Sequence, residues 1–219
     1  MAIIQSGANP NALATVDPTF LAARVATYPS ELLGSYSVGA RTGALPASLA
    51  AAAANTCLWS FKYNGPGVCV IRRLAIYVQC NAAYTQGGVR IAAYQSRGAY
   101  TQGTVNATRA NAYAQNGARR TSMPTATVDI YACTTALITG DSGTFDTNPF
   151  GTFLCDLPAQ IAVIPRFGMG VLYESQSTNL HPIVLASTEG IKIINETAFA
   201  ATGNANMGVI IEWDEMTSY

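Results

Sequence analysis

From Thr56 onward the chain alternates. Cys57, Trp59, Phe61 and Tyr63 are separated by Leu58, Ser60 and Lys62, the period of two of a strand with aromatic weight on one face. Asn64-Gly65-Pro66-Gly67 reads as a turn. Val68, Val70, Leu74, Ile76, Val78 and Cys80 then share one parity through a long strand, and Arg72-Arg73 interrupts it where the pattern places a bulge or a bend. Gln86-Gly87-Gly88 makes the next turn, before a strand over 89–94. Strand patterns return at 125–133, 151–157, 167–174, 183–187, 190–195 and 208–213. The last two flank the turn Ala201-Thr202-Gly203-Asn204 and predict a hairpin. With about eight or nine such runs, Gly, Pro and Asn between them and hardly any amphipathic helix, the pattern predicts an all-β fold: an antiparallel β-sandwich, jelly-roll-like.

Two stretches depart from this pattern. Residues 1–55 are rich in Ala, Gly, Pro and Ser with weak periodicity, and read as an extended N-terminal arm carrying short helices. Asp17-Pro18 is a helix start, with aspartate at the cap and proline in the first position, and Pro29 stops that helix. A second short turn spans Ser30 to Leu33 and ends at Gly34. From there to Asn55 the chain reads as irregular, with a helical pattern over Pro46 to Ala54. The β-sandwich domain is then 56–219. Within it, residues 95–118 are polar and rich in Gly, Asn, Ala and Gln, and read as a long loop excursion.

Charge changes the picture most. Only 11% of the 219 residues are charged, against roughly 25% in an ordinary soluble domain. Charge keeps an exposed surface soluble and unassociated, so its scarcity implies a surface covered by other subunits. Twelve cations balance twelve anions, which gives no field for nucleic acid or acidic lipid. Lys62 and Lys192 are the only lysines, so arginine dominates the cations beside eleven tyrosines, a bias shared with protein–protein interfaces. No run approaches the ~18–20 apolar residues of a membrane span, and no partner membrane is expected. The start, MAIIQSGANPN, lacks the basic and apolar regions of a signal peptide. Five cysteines, Cys57, Cys69, Cys80, Cys133 and Cys155, are an odd number without CxxC spacing, and read as buried free thiols.

Candidate chemistry is sparse. Gly140-Asp141-Ser142-Gly143 spells the nucleophile motif of chymotrypsin-like proteases, but that chemistry needs a histidine base. The only histidine, His181, follows the serine where that family has it before, and Thr144-Phe145 replace the usual Gly-Pro; the motif reads as a turn. One histidine without partners makes no common zinc site. Asp141, Asp146 and Asp156 do not have calcium-loop spacing. Glu212, Asp214 and Glu215 cluster near the C-terminus; paired carboxylates can hydrolyse glycosides, and the simpler reading is a charged edge that blocks strand pairing. Arg72-Arg73 and Arg119-Arg120 read as salt-bridge or interface residues. Asn106-Ala-Thr and Asn195-Glu-Thr match the glycosylation pattern but carry no weight without a secretion signal. No catalytic, cofactor-binding or metal-binding residue is assigned, and no cofactor is expected.

The order of several blocks carries a resemblance. TCLWSFKY (56–63), VCVIRRLAIYVQC (68–80), RRTSM (119–123) and TTALITGDSGTFDTNPFG (134–151) lead to HPIVLASTEGIKIINETAFAATGNANMGVIIEWDEM (181–216). The set resembles a family of small virion structural proteins of tailed bacteriophages, over roughly residues 40–219. The resemblance implies a non-enzymatic virion component. We expect a capsid decoration (cement) subunit that binds and stabilises the major capsid protein lattice, as a homo-oligomer, after assembly in the host bacterial cytoplasm. The alternatives are a tail, fibre-base or head-fibre component, or a host-glycan-binding module built on Tyr84, Tyr94, Tyr100 and Tyr113.

Overall fold

A computed structural model describes residues 5–6, 9–13, 32–43, 45–46, 55–82, 87–103, 107–109, 124–133, 137–157, 167–175, 182–199 and 203–218. The chain divides into two compact units, Met1–Ser30 and Glu31–Tyr219. In the first, β1 (Gln5–Ser6) pairs antiparallel with β2 (Asn9–Leu13). The helix expected from Asp17 lies outside the described residues, as do Arg119-Arg120 and His181. Of the helical pattern expected over Pro46 to Ala54, Pro46 is in a short strand, Leu45–Pro46, and the rest is likewise outside them.

The second unit is all-β, two antiparallel sheets packed face to face. Its strands are β3 (Leu32–Arg41), β4 (Leu45–Pro46), β5 (Thr56–Tyr63), β6 (Val68–Ala82), β7 (Gly87–Ser96) and β8 (Ala107–Arg109). There follow β9 (Val128–Cys133), β10 (Gly151–Leu157), β11 (Phe167–Glu174), β12 (Ile183–Leu185), β13 (Gly190–Asn195) and β14 (Asn204–Met216). The first sheet runs β10-β7-β13-β5-β9-β8. The second runs β11-β6-β14-β3, with β12 on β6 and β4 on β14. Alternation explains the core between them. Trp59, Phe61, Ile91, Ile130 and Ile193 point inward from one sheet, and Leu74, Ile76, Met207, Ile211 and Trp213 from the other. Phe61 meets Trp213 edge-on across the gap, ring centroids 5.3 Å apart, and Trp213 stacks on Tyr36 at 5.3 Å. Each such buried side chain contributes about 1.5–3 kcal/mol.

The register corrects several expectations. Residues 32–41 are not an irregular arm segment but a full strand, pairing β14 from Gly208↔Arg41 to Met216↔Leu32. Its glycines hide the pattern: Gly34 leaves room for the Tyr36 ring that fills the site. The expected hairpin of the last two strands does not form. β13 lies between β5 and β7 in the first sheet, and β14 between β6 and β3 in the second, so the connection changes sheets. The C-terminal strand is therefore central, not an edge. The 95–118 excursion is not wholly loop, since β7 runs to Ser96 and β8 pairs with β9.

Arg72 is indeed a bulge. Glu212 pairs Arg73 and Trp213 pairs Ile71, which leaves Arg72 unopposed. The extra residue flips the parity of the strand's start. Cys69 and Ile71 join Leu74 in the core, in place of the expected Val68 and Val70. A second bulge, at Leu58, sets Cys57 opposite Ile194 while Trp59 stays opposite Ile193. Neighbouring strand residues face opposite ways, so Cys57 leaves the aromatic face that it was expected to share.

Candidate functional site

Several of the residues that promised chemistry hold the chain to itself. Residues 137–150 lie across the outer face of the first sheet and carry the Gly-Asp-Ser-Gly turn. Gly140 takes a left-handed φ of 76°, the conformation for which glycine is suited. Ser142 exchanges both backbone hydrogen bonds with Thr101, at 2.8 and 2.9 Å. Its side chain is exposed. Asp141 accepts from Lys192 Nζ at 3.3 Å, and that ammonium sits 3.8 Å over the Phe145 ring. Tyr100 meets Phe145 edge-on at 5.2 Å and is 1% exposed. Gln102 donates to Ser60 Oγ and to the Asp129 carbonyl, both at 3.0 Å. Arg97 Nε reaches both oxygens of Asp146 at 3.1 and 3.2 Å. The turn reading of this motif holds, and two of its three acids pair with different cations.

This cover lies on Ser60, which accepts from Gln102, and on Cys57, which bridges to Ile138, and both are buried. Burial pushes the Cys57 thiol up, and Asp141 adds to it. The Tyr100 phenol is raised by burial first, then by Cys57. Tyr100 is thus packing, not a sugar platform. Tyr94 donates to Glu196 Oε1 at 2.5 Å and is pushed up to about 12 by burial and by that carboxylate. Tyr84 and Tyr113 lie outside the described residues. Asn195 is fully buried in β13 and offers no acceptor for a glycan.

The C-terminal acids divide between two faces because β14 alternates. Asp214 faces outward, accepting from Arg72 Nε and Ser35 Oγ, each at 2.6 Å. Glu212, on the same face, pairs with Arg73 at 3.8 Å. Glu215 turns inward and is 2% exposed. It accepts from Thr127 N at 2.8 Å, Thr127 Oγ1 at 2.7 Å and Trp213 Nε1 at 3.3 Å. A buried carboxylate needs such donors, and these tie the strand end to the start of β9. Burial, then Glu215, raises the Tyr36 phenol to about 12. The sequence reading put Glu215 with Glu212 and Asp214 on a charged edge; the signal that would have separated it is the parity set by Met207, Val209, Ile211 and Trp213.

The five cysteines are free and buried. Two of them, Cys80 and Cys155, line a groove of about 150 Å³ with Val78, Phe153 and Gly168, where the edge strands β10 and β11 meet. Burial raises both thiols, Cys155 to about 11, which suppresses the reactive thiolate. Among the described residues no group of three His, Cys, Asp or Glu side chains is placed to hold a metal ion, and no helix is long and apolar enough to cross a membrane. Comparison with protein families and with curated proteins finds no match for the chain.

Proposed function

We propose that this chain is a non-enzymatic structural subunit of a tailed-phage virion, a capsid decoration subunit seated on the major capsid protein lattice. One observation carries the reading: among the described residues, five of the chain's twelve cations are paired inside the subunit. Arg72, Arg73, Arg90, Arg97 and Lys192 each pair with a carboxylate of the same chain. Meanwhile Leu154, Met169 and Val171 stand exposed. A surface so arranged offers apolar contact area and little repulsion. The ordered sequence blocks that resemble virion proteins supply the setting, and within it the two sheets are taken as jelly-roll-like. The role needs no reacting group: a decoration subunit adds bridging contact area across lattice junctions, and many weak contacts sum through multivalency. Quantitative mass spectrometry of purified particles tests this. Copies on the order of hundreds are expected from a symmetric shell; about a dozen would move the chain to a tail or fibre. Absence from the particle would overturn the reading.

A further inference from the structure

The outer face of the second sheet carries cross-strand rows whose order is self-complementary. The register lines up Val171, Ala75, Ile210 and Gly39 across β11, β6, β14 and β3. One row along, about 7 Å away at strand spacing, stand Met169, Tyr77, Gly208 and Arg41. On the other side lie Glu174, Arg73, Glu212 and Ser37. Opposed residues share a face, and the interleaved row through Ile76, Val209 and Ala40 belongs to the core. These three rows therefore point outward. Their exposed large apolar members are on β11, Met169 at 61% and Val171 at 46%, while Tyr77 and Ile210 on the central strands are half-buried and Ala75 is 1% exposed. The opposite edge strand is bare in the same row, since a side chain at Gly39 would meet nothing within 4 Å.

We infer that this face binds a second copy of the chain about a two-fold axis lying in the contact plane, parallel to the strands. Such an axis reverses the strand order and keeps every row at its level. β11 then lies over β3 of the second copy, and β6 over its β14. Val171 stands over the vacant surface at Gly39, and Arg73 over Glu212, each contact made twice as in any isologous interface. The result is an apolar centre with a charged rim, two sheets stacked at about 10 Å. An axis across the strands does worse. It stacks Val171 on Val171 and sets Arg73 over Tyr77, which leaves the charges unmatched. Arg73 and Glu212 pair at 3.8 Å within one chain, and stacking each over its opposite in the second copy closes a four-charge cluster, which is what favours a second copy over an unrelated partner. This deepens the assembly reading by naming a surface, and rests on it only in expecting that the chain self-associates.

Sedimentation velocity of the full chain over a wide concentration range tests the inference. The wild type forms a dimer, and Val171→Asp weakens it at least about tenfold by burying an unmatched charge. Arg73→Glu weakens it too, by setting a second carboxylate against Glu212, and the exchanged pair Arg73→Glu with Glu212→Arg restores it. The geometry has its own readout. Chains carrying Val171→Cys, mixed with chains carrying Gly39→Cys, yield a cross-linked heterodimer with a short bis-maleimide, while the buried native thiols stay silent. A monomeric wild type, a dimer indifferent to Val171→Asp, or no heterodimer cross-link would each overturn the inference. A dimer that survives Val171→Asp uses another face and leaves the virion reading standing. Absence of the chain from virions removes that reading and not the dimer.

Discussion

The two sheets share one core and treat their outer faces in opposite ways. The first sheet is roofed: residues 97–103 and 137–150 fold over it, covering Ser60, Cys57 and Tyr100. The second sheet presents Met169, Val171 and the bare Gly39 to its surroundings. The lesson concerns where the protein keeps its polar groups. On the roofed face they fasten loops to the sheet, while on the open face Arg72 with Asp214 and Arg73 with Glu212 pair strand to strand beside an apolar patch.

Breaking what the sheets share has the largest effect. Trp213→Ala removes a side chain that touches Tyr36 and Phe61, and is expected to cost about 3–5 kcal/mol, read as a fall in the urea midpoint. Opening the roof comes next. Tyr100→Ala is expected to cost about 3 kcal/mol and to make Cys57 reactive to a disulfide reagent in the folded protein, which Val171→Asp does not.

Alkaline pH acts on both halves of the comparison through buried protons. Cys155 and Cys133 are raised from 9.0 to about 11 and about 12 by burial, and Tyr36 from 10.0 to about 12. Between the ordinary and the raised value, the folded chain holds a proton that the unfolded chain has released. Stability therefore falls as pH rises, beginning near 9 with the thiols and continuing past 10 with the phenol. Urea midpoints at about pH 8 and about pH 11 check this, the second being lower. The smallest effect belongs to the roof's ion pair. Asp141→Asn releases a partly exposed lysine and should cost under about 1 kcal/mol, again by urea midpoint.

Several strands were legible in the sequence. β10, β11 and β13 fall on the expected residues 151–157, 167–174 and 190–195, because apolar runs bounded by turn residues mark them, although β11 bulges at Leu172. The Arg72 bulge was legible too, since two arginines cannot continue an inward phase. The Leu58 bulge was not: cysteine and leucine are both apolar, so a shifted phase leaves no mark. β3 was missed because Gly34 read as the end of a turn, whereas its missing side chain admits the Tyr36 ring. Its pairing with β14, far along the chain, has no local signature. The separation of β13 from β14 was hidden for the same reason. Proximity in sequence argued for a hairpin, and only sheet membership decides against it. The candidate face was least legible of all. It consists of rows running across four strands, and a row exists only once every register is fixed.

Hydroxyl-radical footprinting of the full chain across its association range tests the contrast most directly. The account predicts that Met169 is oxidised readily in dilute solution and becomes protected as the chain associates, while Tyr100 stays unmodified throughout. Met169 oxidised equally in the associated protein, or Tyr100 modified in the folded chain, would contradict it.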